Sequence, residues 1–240
     1  MMRFITTAPL VGLSLLLSAP VCLAQAPGKV TVRSAMFPGS GIEEPLELYV
    51  GEAKEGLEVP VWGAKFSPEF KLPRLDVWRF GHWDTETNDE GKTVRVFREK
   101  GRAKPPAGQR AWLIFFREKD GPEATLQVRA FDVDEASLKE GGTLVMNLSN
   151  GPIGAEIGDK KAKIEKLKQA VIEPGSRRGQ SYPVKFYYSH NGQLRPFVAT
   201  TWFHGERRKR LAIAVGGGEA APPKLLTVDD IAAREGEANP

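Results

Sequence analysis

From Val30 onward the chain is a succession of short runs in which apolar side chains recur at every second position. Leu46, Leu48 and Val50 form one such set. Leu57, Val59 and Val61 form another, followed later by Leu144, Met146 and Leu148, and by Tyr182, Val184, Phe186 and Tyr188. A period of two puts successive side chains on opposite faces of an extended strand. Gly, Pro, Asn and Asp close most runs, and the sequence holds 25 Gly and 18 Pro to do so. Many short strands with turn residues between them define an all-β sandwich or barrel. One stretch, residues 160–172, fits two periods. Ala162 and Ile164 alternate as in a strand, while Ile164, Leu167 and Val171 stack as in a helix. The turn residues Glu173-Pro174-Gly175 that follow it favour strands.

The first residues follow a different rule. Arg3 gives a positive start, residues 11–17 are largely apolar, and Cys22-Leu23-Ala24 places small residues three and one positions before a cut. This reads as a cleaved secretory signal peptide over residues 1–24, and so as a periplasmic or extracellular protein. The apolar run is shorter than the roughly 20 residues a membrane-spanning helix needs. Cys22 is the only cysteine. The mature chain therefore has no disulfide and no thiolate zinc site, and must hold itself together with a hydrophobic core.

The strand pattern restarts after residue 142. The expected domains are a first β domain over residues 25–142 and a second, basic one over 143–215. Residues 216–240 form a flexible tail, in which Thr227-Val-Asp-Asp230 matches a capping box for a short helix. The two β domains look alike. Residues 46–51 parallel 144–151, residues 77–81 parallel 185–188, and residues 108–116 parallel 208–215, with Arg110 and Arg210 each opening an apolar run. The fold class expected is all-β, two similar antiparallel sandwich-like halves. In the Asn147-Leu-Ser149 run, the Ile157-Gly-Asp159 turn, the Glu173-Pro174-Gly175 turn and the final strand pair, the layout resembles secreted bacterial proteins with tandem immunoglobulin-like or DUF4397-like β-sandwiches. That resemblance implies a fold and no activity.

Residues 194–204 and 209–215 read as the two arms of that last pair, a hairpin closed by His204-Gly205-Glu206 with a basic tip. Charge is uneven. Residues 25–142 carry 18 basic and 20 acidic side chains, residues 143–215 carry 13 and 5, and residues 216–240 carry 2 and 5. The positive stretches are Lys160, Lys161, Lys163, Lys166 and Lys168, then Arg177 and Arg178, then Arg207, Arg208, Lys209 and Arg210. Export removes nucleic acid from the candidate partners and leaves anionic lipid, polysaccharide or an acidic protein. The arginines and Lys209 are the candidate contacts.

No nucleophile motif or cofactor motif occurs, so the reading is a non-enzymatic binding or structural module with no catalytic residues, no cofactor and no metal. His82 and Asp84 share a strand face and are the one pairing that suggests a ligand set, but Thr85 to Lys92 reads as a polar turn. Flat aromatic rings stack on sugars, and among Trp62, Trp78, Trp83, Trp112 and Trp202 the turn residue Trp83 is the candidate for a carbohydrate-binding surface. Trp78, Trp112 and Trp202 fall in alternating runs and are expected in the core. Asn147-Leu-Ser149 matches a glycosylation acceptor but lies in a strand.

Overall fold

The structure, a computed structural model, describes residues 28–37, 45–51, 56–117, 125–217 and 221–232. The signal-peptide reading, Cys22 and the end of the expected tail lie outside these residues. Among the described residues every regular element is a strand. The first half contains β1 (Lys29–Phe37), β2 (Leu46–Leu48), β3 (Leu57–Val59), β4 (Phe70–Pro73), β5 (Trp78–Thr87), β6 (Thr93–Ala103), β7 (Arg110–Arg117) and β8 (Leu126–Asp132). The second contains β9 (Thr143–Ser149), β10 (Ile153–Ile157), β11 (Lys160–Ile164), β12 (Gln169–Ile172), β13 (Ser181–His190), β14 (Gln193–Phe203), β15 (Arg208–Gly216) and β16 (Lys224–Ile231).

They build four sheets of four strands. Sheet I has the order β3-β2-β5-β6, sheet II β4-β1-β7-β8, sheet III β12-β9-β15-β16 and sheet IV β11-β10-β13-β14. Adding eight to each strand number of the first half gives the second half's order, so the two halves are similar. Pairing is antiparallel except that β1 runs parallel to β7 and β9 parallel to β15.

The sheets stack in one pile, I on II on III on IV. Val30, Val32, Leu48, Trp78, Phe80, Leu113 and Phe115 fill the space between sheets I and II. Val145, Ile157, Val184, Phe186, Ala212 and Ala214 fill that between III and IV. A third core joins the halves: Phe37, Trp112, Ile114, Phe116 and Phe131 from sheet II meet Leu144, Met146, Leu211, Ile213 and Val228 from sheet III. Sheets II and III are therefore covered on both faces. This explains why β7 and β15 are unbroken apolar runs and not alternating ones.

Local chemistry sets the turns. Asn191 (φ 49°) and Gly192 (φ 73°) form a two-residue loop between His190 and Gln193, the left-handed pair that suits a tight hairpin. In β5 the register shifts between Phe80 and Gly81, and a Cβ at residue 81 would lie 2.0 Å from the Arg98 carbonyl oxygen. Only glycine allows that close approach.

Several expectations are corrected. Residues 194–204 and 209–215 do not form a hairpin: β14 pairs with β13 in sheet IV, whereas β15 lies between β9 and β16 in sheet III. The Gly205 turn carries the chain between layers, and β14 is an exposed edge, not a strand covered on both sides. Residues 224–231 are neither tail nor helix but β16, an edge strand of sheet III. The second half thus runs from Thr143 to Ile231. Trp83 lies in β5, which continues to Thr87, so the turn begins at Asn88. Residues 160–172, by contrast, are strands as the turn residues after them suggest, in two pieces, β11 and β12, with Leu167 at φ 62° between them.

The correspondence between halves also shifts. By strand order, residues 46–51 match β10 and not β9. Arg110 lies on the same face of β7 as Trp112, towards the seam, whereas Arg210 shares a face with Ala212, towards sheet IV. The two arginines point to opposite sides, because a one-residue offset reverses every side chain of a strand.

Candidate functional site

The basic residues singled out by sequence are not an exposed tip. Arg210 is buried and makes a two-point contact with Asp229, Nε to Oδ1 at 2.6 Å and Nη2 to Oδ2 at 3.0 Å. Its guanidinium lies 4.2 Å from the centre of the Trp202 ring. Arg208 reaches the same carboxylate at 3.3 Å. Lys209 donates to the Val133 carbonyl at 2.7 Å across the seam. Arg178 donates to Glu140 at 2.7 Å, and the Arg177 backbone N–H to Gln180 at 3.3 Å. Successive residues of β15 alternate, so Lys209 turns to the seam and Arg208 and Arg210 into the second half, while Arg207 lies in the turn before the strand. Asp229 and Asp230 lie in β16. Counted to Ile231, the second half carries 14 basic and 8 acidic side chains.

Part of the remaining excess is exposed on sheet IV, where Lys163 also pairs with Glu165 at 2.8 Å. There, Gly154 and Glu156 of β10, Lys161 and Lys163 of β11, and Lys185, Tyr187 and Ser189 of β13 face outward, because Ile153, Ala155, Ile157, Val184 and Phe186 take the inward positions. Glycine at 154 leaves a trough between Lys163 on one neighbouring strand and Tyr187 on the other. The groove has a volume of about 580 Å3, and Leu194, which is 70% exposed, is part of its lining.

Its floor is fixed by hydrogen bonds across three strands. The Tyr187 hydroxyl donates to Glu156 at 2.9 Å, and the Lys161 ammonium sits 2.8 Å from the same carboxylate. Lys161 first, then Tyr187, hold the Glu156 carboxyl below its usual range, while Glu156 raises Lys161. Desolvation and the bond to Glu156 raise the Tyr187 phenol. All three groups keep their ordinary charge at neutral pH. Lys185 adds its field to Glu156 without an ion pair among the described residues. Lys161 and Lys163 belong to the lysine run legible in the sequence. Tyr187 and Gly154 were missed, and the alternation of β10 and β13 was the signal that places them together.

Trp83 belongs to another surface, the outer face of sheet I. Its ring centre is 5.3 Å from that of Phe97, and Tyr49 lies 5.1 Å from Phe97 and 5.8 Å from Trp83. Arg95 covers Trp83 at 4.7 Å and Arg79 covers Tyr49 at 4.7 Å. The indole N–H of Trp83 is buried without an acceptor. Arg79 is also held by Glu99 at 2.6 Å. Burial acts to raise the Glu99 carboxyl, but Arg79 and Arg102 outweigh it, so the group titrates below its usual range.

His82 and Asp84 do share a side, 3.4 Å apart, but Arg98 occupies Asp84 and Glu86. No three His, Cys, Asp or Glu side chains converge among the described residues. Trp78 and Trp112 are fully buried, as their alternation suggests, while Trp202 is half-buried against Phe186. Asn147 is buried with both amide functions engaged, donating to the Gly151 and Ile164 carbonyls and accepting from Ser149, so it is no glycan acceptor in this fold.

No protein-family model matches the chain, and no curated protein matches it.

Proposed function

We propose that the protein is an exported, non-enzymatic binding module of the cell envelope or exterior, holding an anionic partner against the outer face of sheet IV. The groove between Lys163 and Tyr187 carries this reading. It joins an aromatic ring and the exposed Leu194 side chain to the surplus positive charge of the second half. An anionic polysaccharide suits it better than a bilayer, because a trough flanked by cations takes a single extended chain more readily than a flat array of headgroups. Binding through such a field is weak, fast and salt-sensitive, because exposed charges are screened over about 8 Å at physiological ionic strength.

The test is retention on immobilised heparin, with anionic liposomes in parallel. Changing Lys161, Lys163 and Lys185 together to Ser is expected to lower the eluting salt concentration clearly, while leaving Tm within about 2 °C, since exposed charges contribute little stability. Identical elution of both proteins removes the groove from consideration. The runner-up is a carbohydrate-binding surface on sheet I, favoured by the Tyr49, Trp83 and Phe97 cluster. Retention lost in Trp83→Ala but kept in the lysine variant transfers the ligand to that face.

A further inference from the structure

A second cleft, of about 240 Å3, opens at the seam between the halves. Arg110 enters it from β7, Lys209 from β15 and Arg207 from the turn before β15, with Glu135, Glu140 and Asp230 also on its wall. By formal charge it is balanced. By hydrogen bonding it is not.

Asp230 has both oxygens engaged: Oδ1 accepts from Arg33 and Oδ2 from the Trp112 indole N–H at 2.7 Å. Glu140 accepts from Arg178 at 2.7 Å. Glu135 accepts the Glu140 backbone N–H at 3.3 Å and is 3.5 Å from Lys209. Asp230 and Glu140 are thus engaged by groups outside the cleft, while Glu135 is held by a backbone N–H and by Lys209 of the cleft itself. Arg110 and Lys209 keep donors in hand. Lys209 is 85% buried by side chain (15% exposed), and its short contact is with one carbonyl, at 2.7 Å. Arg110 gives one nitrogen to Glu69 and has five N–H groups in all. Donors on separate segments, partly withdrawn from water, match an oxyanion with several acceptor oxygens, and reduced solvation strengthens their pull.

Arg207 adds a backbone feature. It sits at φ 52°, a left-handed conformation that costs a non-glycine residue energy, and its carbonyl accepts the Ala232 N–H at 3.1 Å. That fixed turn sets the side from which Arg207 approaches.

We infer that the seam cleft binds a small dianion, a phosphate or sulfate group, between Arg110 and Lys209, on a wall that Arg207 also lines. Because Arg110 belongs to one half and the other two to its neighbour, the ligand bridges the halves and stabilises their contact. This site is separate from the sheet IV groove, and neither depends on the other.

The experiment is thermal unfolding of the full mature chain with inorganic phosphate or sulfate, against chloride at matched ionic strength. A dianion at ten times its Kd is expected to raise Tm by about 3 °C beyond chloride. Arg110→Gln, at an exposed position that leaves the core intact, should weaken binding at least tenfold by calorimetric titration. Lys209→Gln should do the same. The Ser variant of Lys161, Lys163 and Lys185 should keep the full shift, which separates this site from the groove. A response to either dianion supports the inference. A chloride shift equal to the dianion shift, or undiminished binding in Arg110→Gln, overturns it.

Discussion

Asp230 is the residue on which the contact between the halves turns. Its carboxylate accepts from Arg33 and from the Trp112 indole, both from the opposite half, and all three side chains are largely buried. Arg33 is held in turn by the Ser67 carbonyl at 2.9 Å and lies 5.9 Å from the Phe66 ring centre. A buried charge pair is costly to break from one side, because the surviving partner stays desolvated and unpaired. Asp230→Ala leaves the Trp112 indole N–H without its acceptor and the buried Arg33 charge without its counter-ion, held only by the Ser67 and Ile231 carbonyls, and is expected to destabilise the protein by about 3 kcal/mol. Chemical denaturation of the variant beside wild type measures this. A loss below about 1 kcal/mol would mean that water replaces the carboxylate and that the seam is held by its apolar contacts alone.

Among the elements, β16 and β14 show how an edge strand can be essential or merely tolerated. β16 brings Asp229 to Arg208 and Arg210, Asp230 to Arg33, and Val228 to the seam core. Truncation after Val215 removes all of these and strips the ladder from one side of β15. The truncated chain is expected to lose its cooperative transition by circular dichroism and to elute as aggregate in gel filtration. A truncated chain with native Tm would show that residues 224–231 are a dispensable tail. β14 is the long edge of sheet IV and carries exposed Leu194 and Phe203. Two devices blunt it. Pro196 offers no N–H to an incoming strand, and the register shift opposite Phe186 and Tyr187 bends the edge.

At the scale of the molecule, the pile of four sheets makes two sandwiches into one body. The seam core contains side chains as large as Trp112, Phe116 and Met146, and it is as continuous as the cores inside the halves. Contacts of this kind couple unfolding of one half to the other, because losing either exposes the same apolar surface. Calorimetry is expected to show a single transition with equal van't Hoff and calorimetric enthalpies. Ile213→Asp, which places a charge in the seam, should divide it into two transitions or abolish it. Two transitions in the wild type would mean that the halves fold independently and only touch.

The amino-acid order by itself determined the strands, most of the turns and the likeness of the halves. Alternation at Tyr182, Val184, Phe186 and Tyr188 and the Asn191-Gly192 pair are local signals, and a strand or a two-residue turn is a local event. Which strands pair is not local. Nothing within residues 194–215 distinguishes a hairpin from a crossing between layers, since both need only two extended runs and a glycine. The layer crossing follows from β9 and β16, which claim both sides of β15. The fate of the charges was decided in the same way. Arg208 and Arg210 look free beside Arg207 and Lys209 in the sequence, and their acid sits about twenty positions away in β16. The groove on sheet IV needed both levels. Lysines 161 and 163 were visible as a charged run, but only the register of β10 between β11 and β13 sets Gly154 beside Lys163 and Tyr187. Three strands must pair before one face exists.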